Sequence, residues 1–322
     1  PEGTAINLTA DVTDPGTLDT FTYAWEVLKD GNPFTTGSGA NFTFTPDDAA
    51  AAGTTYTVNL TVTDDDTGVG TDSATINVTN VAPVVPLAAQ GSSSINEGDT
   101  FVLEVGPVVD PGDDTITAFQ INWGDGDSDF VTGNDLTSLS TFSHVYTDGL
   151  ATPDRTITID VIDEDGSYTP AGSLTIQVNN VAPTAAFNAF SPVDEGSTTS
   201  VFFAAQSDPG TADAATGYRY AYDFDDDGTF DQGDGTFGGS STSSSFTVPA
   251  PFLDDGPDTV TVRGRIIDKD GGFTDVTQTI DIDNVLPTFN AGADATVDVN
   301  TAFNRTITFN DPGSEDLAPA GW

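Results

Sequence analysis

The sequence predicts an all-β fold: a tandem array of immunoglobulin-like β-sandwiches with about seven strands each. Three observations predict it. Markers return with a period of about 100 residues, short runs alternate apolar with polar residues, and acidic or Gly/Pro turns separate those runs.

The markers come first in the argument. Asp-Pro-Gly occurs at Asp14, Asp110, Asp208 and Asp311, at spacings of 96, 98 and 103 residues. A Glu-Gly step recurs at Glu2, Glu97 and Glu195, spaced by 95 and 98. The linkers TNVAP, NNVAP and DNVLP place Asn80, Asn180 and Asn284 at intervals of 100 and 104. Acidic turns keep the same order: TDDDTG at 63–68, IDEDG at 162–166 and IDKDG at 267–271. These markers divide the chain into repeats at 1–81 (its first strand missing), 82–181 and 182–285, with a fourth beginning at 286–322.

Within each repeat the alternation marks the strands. TVNLTVTD (57–64), RTITIDVID (155–163) and TVTVRGRIID (259–268) have the two-residue period of a half-buried strand. SATINV, SLTIQV and VTQTIDI follow the acidic turns as return strands. Pro83, Pro183 and Pro287 stiffen short linkers and blunt strand edges. AAAA at 49–52 reads as a helical turn. The first repeat lacks a counterpart of 83–96, and two strands of a fourth cannot bury a face alone. With no methionine at position 1, the chain reads as a window on a longer array. A sharper expectation is that 286–322 completes the first domain of a neighbouring chain by strand donation.

Composition excludes several classes of function. The 322 residues include 51 acids and 7 bases, for a formal charge of −44. That surface repels nucleic acid and anionic lipid and attracts divalent cations. Without cysteine there are neither disulfides nor thiol chemistry. No apolar run approaches the roughly 18 residues of a membrane span.

FQINWGDGDS (119–128), SHVY (143–146) and ITIDVIDEDGS (157–167) together resemble the PKD (polycystic-kidney-disease-type) Ig-like repeat, with its W-D-F-G-D-G stretch, H-x-Y pair and V-x-D-x-x-G turn. YAYDFDDDG (220–228) and the weaker TYAWEVLKDG (22–31) extend the resemblance, although neither of those repeats has the H-x-Y. The resemblance implies an extracellular, non-catalytic module of surface proteins, adhesins, S-layers or secreted hydrolases.

Two groups of residues are candidate calcium ligands. In DFDDDGTFDQGD (223–234), Asp223, Asp225, Asp227, the Thr229 carbonyl, Asp231 and Asp234 fill positions 1, 3, 5, 7, 9 and 12 of a calcium loop, with Gly228 at the turn. The bland alternative is a solvated acidic hairpin. Glu26, Leu28 and Asp30 in repeat one, and Asn122 and Gly124 in repeat two, are poorer counterparts. Strand parity supplies the second group. Alternate loops of a sandwich share a pole, so each junction gathers acids from two repeats: Glu97, Asp125, Asp127 and Asn180 against Asp208, Asp268 and Asp270. The arrangement is similar to the calcium junctions of cadherin-like arrays; its alternative is that the acids only keep the poles soluble.

Catalytic patterns are missing. His144 is the single histidine and reads as structural, which rules out a histidine zinc site in a chain without cysteine. Trp25, Trp123 and the aromatics of YRYAYDF read as core rather than as a sugar platform. The expected function is a calcium-stiffened extracellular spacer or stalk in a larger surface or secreted protein, not an enzyme. Its partners would be neighbouring repeats of the same chain. The alternatives are a self-assembling filament or surface-layer subunit, which binds further copies of itself, and an accessory module that binds polysaccharide or another cell-surface ligand.

Overall fold

The computed structural model describes residues 1–16, 18–133, 136–150 and 154–313; the end of the expected fourth repeat, 314–322, lies outside them. The chain is all-β apart from short helical turns. It divides into two compact units, one of Pro1–Ser93, Thr100–His144 and Asp154–Gln177, the other of Ser94–Asp99, Val145–Pro153 and Val178–Trp322. This division does not follow the sequence repeats.

In the first unit, repeat one supplies β1 (Ile6–Thr9), β2 (Phe21–Lys29), β3 (Asn32–Ser38), β4 (Asn41–Phe44), β5 (Thr54–Asp64) and β6 (Val69–Val78). They form sheets of order β3-β2-β5-β6 and β1-β4. Every second residue turns inward, so Trp25, Val27, Tyr56, Val58 and Val78 meet Phe44 in one core. The expected helical turn at 49–52 is instead a tight turn. The amides of Ala49 and Ala50 are taken by Glu2 Oε2 (2.6 Å) and Thr54 Oγ1 (3.0 Å), and Gly53 N bonds back to Ala50 O. Side-chain acceptors thus claim the N–H groups that could have started a helix.

Repeat two contributes β7 (Leu87–Ala89), β8 (Ser94–Asn96), β9 (Thr100–Val105), β10 (Ala118–Asn122), β11 (Ser128–Thr132), β12 (Ser140–Val145), β13 (Asp154–Ile162) and β14 (Ser167–Asn179). In the first unit its strands lie in the orders β7-β9-β12 and β11-β10-β13-β14. Leu103, Phe119, Ile121, Trp123, Ile157 and Ile159 are buried. In the second unit, β8 is held to the end of β14 by Asn179, whose Nδ2 donates to Ile95 O (3.0 Å).

The second unit continues with β15 (Thr184–Ala189), β16 (Val193–Asp194), β17 (Thr199–Ser207), α1 (Thr211–Thr216), β18 (Arg219–Asp223), β19 (Ser245–Val248), β20 (Asp258–Ile267), β21 (Phe273–Asp283), β22 (Thr288–Asn290) and β23 (Thr308–Asn310). The sheets β15-β17-β19 and β16-β21-β20-β18 pack face to face. Phe187, Val201, Phe203 and Val248 from one meet Tyr222, Val262, Ile266, Ile280 and Ile282 from the other. α1, which the sequence reading lacks, follows the third Asp-Pro-Gly directly. The strands β22 and β23 pair with each other and leave Phe289 and Phe309 exposed.

Gly264 on β20 shows how tightly the core is filled. A Cβ there would stand 2.6 Å from Phe203 Cζ and 2.8 Å from Phe187 Cε2. Gly264→Ala is therefore expected to overpack this core and cost about 1–3 kcal/mol, measurable by chemical denaturation.

Candidate functional site

The candidate site grows from three glutamates. Glu2, Glu97 and Glu195 are 0%, 1% and 1% exposed, the deepest possible setting for a charge on a chain this acidic. Each one divides its two carboxylate oxygens between separate backbone segments. Glu2 accepts from Ala49 N and Val81 N, both at 2.6 Å. Glu97 accepts from Gly149 N and Val181 N, both at 2.7 Å. Glu195 accepts from Gly256 N (2.8 Å) and Val285 N (2.7 Å). One amide belongs to the loop before a long strand, the other to the N-V-x-P linker. Bonds from N–H to an ionised acceptor offset the loss of hydration that burial imposes.

The glycine after each glutamate meets the next Asp-Pro-Gly. Gly3, Gly98 and Gly196 hold φ of +65°, +77° and +66°, where a side chain is strained. A Cβ on them would reach within 2.5, 2.9 and 2.7 Å of the Cβ of Pro111, Pro209 and Pro312. Asp110, Asp208 and Asp311 in turn accept from their own Gly112, Gly210 and Gly313 amides at 3.0, 2.7 and 3.0 Å. The Glu-Gly step and the Asp-Pro-Gly turn are therefore two halves of one contact, built three times.

Around the first two contacts, further carboxylates converge. Glu2, Asp48 and Asp114 bring one oxygen each within 4.8 Å of one another, as do Glu97, Asp208 and Asp213, and also Asp148, Asp213 and Asp270. Asp110 Oδ2, Asp208 Oδ2 and both oxygens of Asp114 and Asp213 are buried and accept no hydrogen bond. Burial, then the charges of Asp110, Glu2 and Asp48, pushes the Asp114 carboxyl up to about 7. Burial and Glu97 push Asp213 up to about 7 against the pull of Lys269. Burial also raises Glu97, although the amides of Val181 and Gly149 oppose it. Asn180 Nδ2 donates to Asp268 Oδ2 (3.0 Å), and Asn80 Nδ2 to Asp165 Oδ2 (2.6 Å). Such hard oxygens, close and unsatisfied, can hold a divalent cation or share protons.

Of the residues predicted for the junction, Glu97, Asn180, Asp208, Asp268 and Asp270 thus stand in this region. Asp125 and Asp127 do not join them, which corrects the parity argument. The turn after β10 closes on itself through Trp123 N and Asp127 O (3.0 Å). His144 Nε2 then captures Asp125 Oδ2 at 2.7 Å while its ring stacks on Trp123. Asp125, Asp127 and His144 form a separate group. Sequence reasoning missed Glu2, Asp48, Asp114, Asp148 and Asp213. A signal was present: an acid follows Asp-Pro-Gly at Asp19, Asp114 and Asp213, and Asp48 and Asp148 immediately precede the amides that the glutamates bind.

In the 223–234 loop the structure brings together Asp223, Asp225 and Asp231. Asp223 is buried and accepts from Asp227 N (3.2 Å) and Gly228 N (3.0 Å). Asp231 Oδ2 accepts from Phe224 N at 2.7 Å. Burial and the nearby Asp227 raise the Asp225 carboxyl. The other predicted ligands are engaged differently. Asp227 Oδ1 caps Thr229 N (2.7 Å), and Asp234 Oδ1 accepts from the amide and hydroxyl of Thr236 (2.8 and 2.7 Å). The twelfth position thus turns to its own local turn, while Asp226, outside the predicted set, pairs with Arg263. The Trp25, Trp123, Tyr220, Tyr222 and Phe224 side chains are in the cores.

No protein-family model matches the chain, and no curated protein matches it. Among solved structures, the chain is similar to Bacteroides ovatus mixed-linkage glucan utilization locus SGBP-B in complex with mixed-linkage heptasaccharide, at 16% identity over 90% of this chain and 67% of that one, with a TM-score of 0.19. The chicken CNTN1 FN1–FN3 domains match at 12% identity over 88% and 96%, TM-score 0.24. Escherichia coli alpha-2-macroglobulin activated by porcine elastase matches at 9% over 90% and 36%, TM-score 0.22. Superpositions at these scores carry no argument about function.

Glu195 offers the simplest test of the clamp. Its replacement by alanine strands the buried amide of Gly256 and the partly buried amide of Val285, each losing a charge-assisted bond worth about 1.5–3 kcal/mol. Equilibrium denaturation of Glu195→Ala is expected to show a loss on the order of 3 kcal/mol, with Glu195→Gln, which keeps one acceptor, falling between.

Proposed function

We propose that this chain is a non-catalytic structural segment of an extracellular surface or secreted protein: a spacer or stalk of PKD-like, Ig-like repeats whose junctions are stiffened by calcium. The observation that carries the reading is the contact built three times on Glu2, Glu97 and Glu195. A joint repeated with the same partners serves to hold successive repeats in a set relation; a binding or catalytic site would need to be built once. The converging carboxylates of the first two joints supply the all-oxygen ligands that calcium takes, six to eight in number and tolerant of irregular geometry. Asp223, Asp225 and Asp231 would form a further calcium site in the third repeat. No helix of the described residues is long and apolar enough to cross a membrane. With Trp25 and Trp123 buried, the carbohydrate-binding alternative loses its aromatic platform on those residues.

A second reading, self-assembly, is favoured by one observation. An apolar groove in repeat one is lined by Leu8, Val12, Trp25, Leu60 and Val62, beside a β1-β4 sheet of only two strands. A strand from the exposed apolar segment at 286–313 of another copy would suit it. Light scattering of the chain with and without residues 286–322 tests this reading: a concentration-dependent oligomer that survives the deletion would overturn strand donation.

The spacer reading predicts that chelation lowers the melting temperature and broadens the small-angle scattering profile toward that of a more flexible chain. Identical melting and scattering in calcium and in chelator would overturn the calcium part. Asp225→Asn combined with Asp231→Asn is expected to remove one calcium-binding step in titration calorimetry.

A further inference from the structure

Five of the seventeen asparagines stand in the pattern Asn-x-Thr: Asn7, Asn41, Asn59, Asn77 and Asn304. Four of the six asparagines of repeat one fall in it, against one of the eleven beyond residue 81. On a strand, the two-residue period sends the asparagine and the threonine to one face and the residue between them to the other. Leu8, Phe42 and Leu60 accordingly pack against the core of repeat one, and Val78 is part of it. Asn7, Asn41 and Asn77 are exposed, while Asn59 is half-buried. β1 and β4 pair Asn7 with Thr43 and Thr9 with Asn41, so two such patterns make up the whole outward face of that sheet.

The amide nitrogen separates these asparagines from others in the chain. Asn80, Asn122, Asn179, Asn180 and Asn188 each spend Nδ2 on a structural bond, to Asp165, Asp160, Ile95 O, Asp268 and Ala186 O at 2.6, 3.1, 3.0, 3.0 and 3.4 Å. Asn7 and Asn77 use only Oδ1, which accepts from Thr43 Oγ1 (2.7 Å) and Thr55 Oγ1 (3.2 Å). The exposed side chain of Asn41 enters no described hydrogen bond. Only Asn59 of the four commits its Nδ2, to Glu26 Oε2 at 3.2 Å. The same surface lacks charge. Outward positions of β5 and β6 are threonine, serine or asparagine from the Thr55/Asn77 pair to the Thr61/Thr71 pair. The matching hairpin of repeat three, β20 with β21, carries Arg263, Arg265, Asp275 and Asp281 on its outward face.

We propose that Asn7, Asn41 and Asn77 are N-glycosylation acceptors, so that repeat one carries sugar where repeat three carries charge. The inference rests on the extracellular part of the reading above and needs nothing of its calcium part. The donor is a lipid-phosphate-linked oligosaccharide presented by a transferase of the secretory membrane. Asparagine Nδ2 attacks its anomeric carbon, and the C–N bond forms as the anomeric C–O bond breaks. The phosphate leaves with that electron pair, and one Nδ2 proton passes to a base of the transferase. On Asn7, Asn41 and Asn77 the glycan stands in solvent and displaces no described bond of Nδ2. On Asn59 it would displace Glu26. β6 is the edge of its sheet, and a bulky hydrated group on Asn77 blocks its pairing with a strand of another chain.

Peptide mapping of the full chain, isolated from the surface and medium fractions of the organism that makes it, tests the assignment. Mass spectrometry with electron-transfer fragmentation is expected to place whole sugar units on Asn7, Asn41 and Asn77, with lower occupancy at Asn59. Thr79→Ala keeps Asn77 but removes the hydroxyl of its pattern, and should abolish the added mass at Asn77 alone. Unmodified asparagines at all three positions, sugar on the threonines instead, or equal occupancy at Asn59 would overturn the proposal and leave the spacer reading standing. Recovery of the chain only from the cytosol would overturn both. The wild-type map needs no variant, so a misfolded Thr79→Ala does not remove the test.

Discussion

The structure depends on a buried carboxylate that two distant stretches of backbone need at once. Glu97 and Glu195 follow directly on β8 and β16, and all three glutamates bind the loop before a long strand and the N-V-x-P linker. Both amides donate to the one carboxylate, so the loop and the linker take the positions it allows. The neighbouring glycine inherits a positive φ and becomes the flat seat on which the proline of the next Asp-Pro-Gly rests. Linker direction, loop conformation and the docking of the following turn thus share one cause.

That cause also creates the electrostatic problem of the joints. A buried glutamate is satisfied by two amides, but the Asp-Pro-Gly turn brings further acids against it. Burial and mutual repulsion hold Asp114 and Asp213 well above the ordinary carboxylate range. Lys269 relieves one joint. At the other, Lys29 stands 3.7 Å from Asp48. The 223–234 loop follows a different logic, for its oxygens are largely used by its own amides.

Much of this was legible in the residues. The alternation of TVTVRGRIID (259–268) placed β20, and the return strands followed the acidic turns as the two-residue period requires. Trp25, Trp123 and Tyr222, which strand spacing assigns to the core, are buried. The helical reading of AAAA failed because local alanine propensity is weaker than the claim of Glu2 and Thr54 on its amides. At the sites, repeat register brought Glu97, Asn180, Asp208, Asp268 and Asp270 together, while Asp125 was lost to His144, a partner in another strand. The calcium-loop pattern could not reveal that Asp234 would bend to Thr236, since a spacing rule carries no information on competing donors.

Strand periodicity, the spacing of about 100 residues and the recurring markers are properties of residue order and are readable without a fold. What the markers do depends on which of them packing brings into contact. Glu-Gly and Asp-Pro-Gly look like ordinary turn residues until the fold sets Gly98 against Pro209 and closes Glu97 away from water.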